Sequence, residues 1–273
     1  VSAAPRADPR PRLRPRLAVF KFASCDGCQL AILNLEDELL ALAEKVEVAH
    51  FLEASSHADP EGPWDVALVE GSVTTAHDAE RIRRIRERST LLITIGACAT
   101  SGGIQALRNR ADVEEWKAHV YPSPAWIDVL PTSTPIAEHV PVDVEIQGCP
   151  VDKGQVLRVL VRTLLGTGAD LPVASVCLEC KRRGLPCVLV SRGIPCLGPV
   201  TRAGCGALCP GLGRDCYGCF GPAADPNPAS LVRRLEAGGL SRADAVRRLR
   251  HINGWRAEFR TLADALESET AGG

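Results

Sequence analysis

Short apolar runs alternate along the first two thirds of the chain with stretches whose apolar residues recur every three or four positions. The runs predict strands over residues 17–22, 46–52, 65–69, 91–95 and 142–146. The stretches between them predict helices from Cys28 through Ala43, over 76–88 and over 153–165. Strand and helix in strict turn imply an α/β unit, a parallel sheet with helices on both faces. After Pro228 the helical period returns three times. The first helix covers 229–237 and ends at Gly238-Gly239; the second starts at the Ser241-Arg-Ala-Asp244 box; the third follows Asn253-Gly254 and runs to about Leu266. These three are expected to pack back on the segment before them.

That segment has neither period. Between Cys177 and Cys219 lie eight of the twelve cysteines, Cys177, Cys180, Cys187, Cys196, Cys205, Cys209, Cys216 and Cys219, among repeated Gly and Pro. The spacing reads as turns, with a pair two residues apart at each end, and few apolar residues are left to build a core. A covalent or metal framework must hold it. Disulfides suit short, cysteine-dense secreted chains, and this chain is neither. Zinc ribbons show two close pairs per site, whereas single cysteines are strung between these pairs. Iron-sulfur clusters tolerate such spacing, and eight thiols make two four-cysteine sites.

Composition narrows the partners. The 273 residues carry 32 basic and 33 acidic side chains, a formal charge of −1, so no basic face for nucleic acid is expected. Residues 1–16, with five arginines between prolines, are read as a disordered tail. No arginine pair precedes a long apolar run and no membrane span is found, which predicts a cytoplasmic protein. A reducing cytosol suits metal-bound thiolates.

The other four cysteines fall in one kind of place. Cys25 and Cys28 follow the first strand, Cys98 the fourth and Cys149 the last, each just past a carboxyl end, where the loops of an open parallel sheet converge on a ligand. Glu70, directly after the third strand, shares that edge and is a candidate proton relay. His50, His57, His77, His119, His139 and His251 have no metal spacing and are read as structural or solvated.

Cys25-Asp-Gly-Cys28, Val69-Glu-Gly-Ser72, Gly96-Ala-Cys-Ala-Thr-Ser-Gly-Gly103 and Gln147-Gly-Cys-Pro150 resemble, in order and spacing, the proximal-cluster motifs of nickel-iron hydrogenase small subunits. Cys196-Leu-Gly-Pro-Val-Thr201, followed by Cys205, resembles the segment joining that family's distal and medial clusters. The resemblance covers about residues 17–220. It implies a flavodoxin-like domain over 17–170 and a cluster domain with C-terminal helices over 171–273. It also implies three 4Fe-4S clusters: proximal on Cys25, Cys28, Cys98 and Cys149, distal on Cys177, Cys180, Cys187 and Cys196, medial on Cys205, Cys209, Cys216 and Cys219. Periplasmic members have histidine at the position of Cys177 and proline at that of Cys209, beside a three-iron medial cluster. Those departures resemble the cytoplasmic bidirectional branch, the sulfhydrogenase delta and NAD(P)-linked small subunits.

The same resemblance puts the nickel-iron centre in a separate large subunit and flavin and NAD(P) on diaphorase-type partners. The chain has no Walker A sequence, and Gly166-Thr-Gly168 is no dinucleotide fingerprint. The expected function is electron transfer for a hydrogenase. Alternatives are a small subunit serving a deazaflavin or heterodisulfide-reductase partner, a free ferredoxin-like carrier and a zinc-held interaction protein.

Overall fold

The computed structural model describes residues 14–56 and 58–271. Most of the tail read over 1–16, and His57, lie outside them. Five strands, β1 (Arg16–Lys21), β2 (Glu47–Phe51), β3 (Trp64–Glu70), β4 (Ser89–Ile95) and β5 (Val144–Ile146), form one parallel sheet in the order β2-β1-β3-β4-β5. That order is the flavodoxin-like one, with its topological switch beside β1. Arg16 belongs to β1 and not to the tail: its guanidinium bonds Asp59 at 2.5 Å and Glu47 at 3.0 Å, and its amide bonds Asp65 at 2.6 Å.

Strand residues alternate between two cores. Leu17, Val19, Val66, Leu68, Ile93 and Ile95 face one side, where they meet α1 (Gly27–Leu33), α2 (Asp37–Ala43) and, after β5, α6 (Lys153–Leu164) through Ile32, Leu42, Val156, Val159 and Leu160. Ala18, Phe20, Ala67, Val69 and Leu92 face the other, against Ile82 and Ile85 of α3 (Ala76–Glu87). Side chains at successive strand positions point to opposite faces, so near-continuous apolar runs are what a sheet covered on both sides requires. Thr75 and Asp152 start α3 and α6 by accepting from the N–H groups of Asp78 and Gln155.

The single helix expected from Cys28 to Ala43 is two. Glu36 takes a φ of 53°, a left-handed turn that separates α1 from α2 and lets Leu35 and Leu42 reach the same core. Beyond β4 come α4 (Gly96–Ser101), a 3-10 stretch over Ile104–Arg110 and α5 (Val113–Val120), none of them anticipated. The cysteine-rich segment also holds helices: α7 (Val176–Arg182), α8 (Val188–Arg192) and α9 (Leu208–Gly211). Cys177 and Cys180 therefore sit one helical turn apart on α7, where turns alone were expected.

The C-terminal helices α10 (Pro228–Ala237), α11 (Arg242–Leu249) and α12 (Ala257–Ala271) join Leu197 and Val200 in a third core. They pack on the cysteine-rich segment as expected, α11 starting at Ser241, whose side chain accepts from the Asp244 N–H. Among the described residues no helix is long and apolar enough to cross a membrane.

Candidate metal centre

Every strand of a parallel sheet sends its carboxyl end to the same edge, and the first four thiols gather there. Cys28 opens α1 behind β1, Cys98 lies in α4 behind β4, and Cys149 follows β5. A hydrogen bond from the Ala97 N–H to the Gly148 carbonyl, 2.7 Å, ties the last two loops together. Burial pushes the Cys28 thiol up, with Glu70, Cys98 and Cys149 adding to it. It pushes Cys98 up to about 12, with Cys149 and Cys25 adding, and Cys149 in the same direction with Cys25 adding. The four thiols thus feel one another.

Glu70 is 1% exposed and lies at the start of α1. One carboxylate oxygen accepts from the Cys28 N–H at 3.1 Å, the other from the Gln29 amide at 2.9 Å. Its carboxylate takes up an otherwise unpartnered helix-start amide in the CxxC turn, a duty that the residue's place in the sequence did not show. Gln105, in the unanticipated 3-10 stretch, hydrogen-bonds the Cys98 sulfur and donates to the Ala23 carbonyl at 3.1 Å.

The other eight thiols divide by neighbourhood. Burial raises Cys177, with Cys196 and Cys187 adding; it raises Cys180 to about 11, with Cys177, Cys196, Cys187 and Cys205 adding. Cys219 is pushed up to about 12 by burial, with Cys205, Cys149 and Cys209 adding. Cys216 is raised by burial, and both Cys196 and Cys219 add to it. Its backbone N–H donates to the Cys196 sulfur at 3.2 Å, beside that of Gly198 at 3.4 Å. Two hydrogen bonds join the groups: the Cys149 backbone to the Cys219 sulfur, and the Cys216 N–H to the Cys196 sulfur.

Polar side chains brace the groups from outside the cysteine motifs. Asn253, 3% exposed between α11 and α12, accepts from the Ser101 hydroxyl at 2.7 Å and donates to the Gly218 carbonyl at 2.7 Å. It thereby links the end of α4 to the Cys216–Cys219 turn. Gln155 at the start of α6 donates to the Gly204 carbonyl at 2.8 Å. No sequence pattern marks either residue for this.

Two observations test whether the thiols suit metal. Buried thiols with raised pKa values stay neutral at neutral pH unless a cation takes up their charge, and a bound metal deprotonates a coordinating thiol outright. The backbone also makes room for sulfur. Gly103, at φ +61°, would bring a Cβ to 2.7 Å from the Cys98 sulfur, and a Cβ on Gly96, at φ +86°, would collide with the Cys28 sulfur. Among the described residues no group of three or more His, Cys, Asp or Glu is arranged to hold a single metal ion. An all-thiol donor set with amide and amide-side-chain donors around it fits iron-sulfur chemistry. A cavity of about 650 Å³ at the opposite end of the sheet, lined by Arg14, Pro15, Thr90 and Thr163 among others, has no cysteine in its wall.

His50 is buried and stacks on Phe20, 4.6 Å between ring centroids, and His139 bonds the Thr134 hydroxyl at 2.7 Å.

Residues 25–163 match the family described as NADH ubiquinone oxidoreductase, 20 Kd subunit. Sulfhydrogenase 2 subunit delta of Pyrococcus furiosus is 40% identical over 240 residues, 88% of this chain and 100% of that protein. A subunit of the vhu F420-non-reducing hydrogenase of Methanocaldococcus jannaschii is 32% identical, over 95% of this chain and 99% of that one. A chain in the crystal structure of an NAD+-reducing [NiFe]-hydrogenase in the H2-reduced state superposes with a TM-score of 0.54 at 30% identity, covering 58% of this chain and 96% of that one.

Proposed function

The chain belongs to the NADH ubiquinone oxidoreductase 20 Kd subunit family as a nickel-iron hydrogenase small subunit, and from that premise we propose that it holds three 4Fe-4S clusters and conducts electrons between a large subunit and a flavin- and NAD(P)-linked partner. Cys25, Cys28, Cys98 and Cys149 hold the proximal cluster, Cys205, Cys209, Cys216 and Cys219 the medial one, and Cys177, Cys180, Cys187 and Cys196 the distal one. When bound, the clusters supply one-electron steps. The chain's own work is to hold and space them.

The observation that carries this reading is the line of thiols. The Cys149 backbone bonds the Cys219 sulfur and the Cys216 N–H bonds the Cys196 sulfur at 3.2 Å, so the set assigned as medial is in contact with both others. At the far end Cys187 is exposed, close in sequence to Val190, which is 75% exposed. That end suits a docking electron acceptor. The sheet-edge end suits the large subunit, where dihydrogen is cleaved. The reading places the protein in the cytoplasm, with residues 17–170 carrying the proximal cluster and 171–273 the other two.

A second reading gives the chain a heterodisulfide-reductase-type partner; the Methanocaldococcus jannaschii relative is a subunit of an F420-non-reducing hydrogenase, which speaks against a deazaflavin acceptor. Both acceptors need the same three clusters. The test is metal analysis of the anaerobically purified complex. We expect about twelve iron and twelve sulfide per chain, with a large subunit co-purifying. One or two zinc with iron absent would sink the electron-transfer reading, and full iron with no large subunit would make the protein a free carrier.

A further inference from the structure

Glu179 lies inside the Cys177-Leu-Glu-Cys180 motif of α7, yet its carboxylate crosses to the loop that carries Cys205. One oxygen accepts from the N–H groups of Gly204 at 2.8 Å and Gly206 at 3.2 Å. The other accepts from the Ala207 N–H at 3.1 Å and lies 3.9 Å from the Cys205 sulfur. Gly206 and Ala207 both have positive φ, +65° and +52°, which turns their amides to one side. Successive amides turned this way form a concavity that accepts an anion, and here the anion is a side chain from the neighbouring set of thiols.

The same helix carries a second strap. Arg183, one turn beyond Glu179, donates to the carbonyls of Gly206 and Ala207, and its guanidinium rests against Gly211. Helix α7 thus grips the 204–211 loop with one negative and one positive side chain. Only the negative one stands beside a cysteine.

The geometry assigns Glu179 as a positioning residue for the distal and medial clusters, an inference that rests on both clusters being present as proposed above. Its carboxylate fixes the Cys205 loop against the helix of Cys177 and Cys180, and it places an acidic side chain between the two sites. A negative charge nearby disfavours adding an electron, so it holds both potentials low. It also holds the amides of Gly204, Gly206 and Ala207, the last of which is shared with the Cys205 sulfur, and hydrogen bonds to cluster sulfurs are one of the protein's means of tuning potential. The proximal site, on the far side of Cys219, lies outside this arrangement.

The experiment uses the whole hydrogenase complex and an electron paramagnetic resonance redox titration of parent, Glu179→Gln and Glu179→Asp. For Glu179→Gln the expected result is unchanged iron with two of the three cluster signals moved to higher potential, by about a tenfold change in the reduced-to-oxidised ratio, 59 mV for one electron. The third signal stays where it was. Glu179→Asp keeps the charge and should stay near the parent, so it serves also if Glu179→Gln fails to assemble. Three unmoved potentials in Glu179→Gln, three signals moving together, or an Asp variant shifted as far as a cluster-loss control would overturn the assignment. A parent complex with much less than the full iron would instead sink the three-cluster reading itself, which separates the two failures.

Discussion

Cys98 and Cys149 sit at the ends of strands whose side chains fill two apolar cores, whereas Cys196 and Cys216 are themselves two of the five buried residues that make up the small core around Val176. The sheet buries Leu68, Ile93, Ile95, Ile82 and Trp64 without help from any thiol beyond Cys28. Its edge holds cysteines in place because the fold is already complete. In the cysteine-rich segment thiols make up part of the small core itself, and outside Leu197 and Val200, which lean on the C-terminal helices, apolar burial is slight, so its folding free energy is expected to depend on bound metal. The difference teaches which of the proposed clusters is a passenger of its scaffold and which two are structural.

The largest effect that follows is from removing iron. Stripping it anaerobically should bring amide exchange at Val176 and Cys216 close to that of an unfolded chain, while the amide of Leu68 stays protected by the sheet. Equal loss at Leu68 would erase the contrast between the two regions.

Glu70→Gln probes the sheet side. The new amide can keep its oxygen on the Cys28 N–H only by turning its NH2 to Gln29, whose own amide must then flip and give up Asp26, or oppose it donor to donor, at a cost of up to about 1–3 kcal/mol in stability. Iron content should be unchanged, as read by metal analysis. The proton-relay duty proposed for Glu70 adds a slower dihydrogen turnover in this variant, and unchanged turnover would leave the residue with anchoring alone.

The smallest effect concerns His50. Burial lowers its pKa from the ordinary 6.5, so the folded protein resists a proton that the unfolded chain accepts. Above that value both states are neutral at this site and nothing changes. As pH falls below about 6.5 the unfolded chain gains protons first, and stability declines until the folded pKa is passed. Denaturant unfolding followed at the sheet should show this slope, and His50→Phe should flatten it.

What the sequence disclosed follows the same division. Strand and helix positions were legible because the sheet's two cores impose a period on the chain, and the convergence of Cys25, Cys28, Cys98 and Cys149 follows from parallel topology alone. The break at Glu36 was not legible, since neither Gly nor Pro marks it and the left-handed φ falls on an ordinary residue. Helix α7 was missed for another reason: seven residues are too few to display a period, and a CxxC pair reads equally well as a turn. Asn253 and Glu179 lay out of reach because their partners, Ser101 and Gly218 for the one and Gly204 for the other, are far away in the chain. Nothing local distinguishes either from a solvated side chain.

The neighbour relations among the thiols also order events during synthesis. Cys149 and Cys180 leave the ribosome before Cys205 and Cys219, which stand between them in space. On the proposed assignment, a nascent chain presents both ends of the conductor before it possesses the middle. Asn253, which pins the Cys216–Cys219 turn to the end of α4, emerges later still. On the proposed assignment, the join between the two ends is braced only once residue 253 has been synthesised.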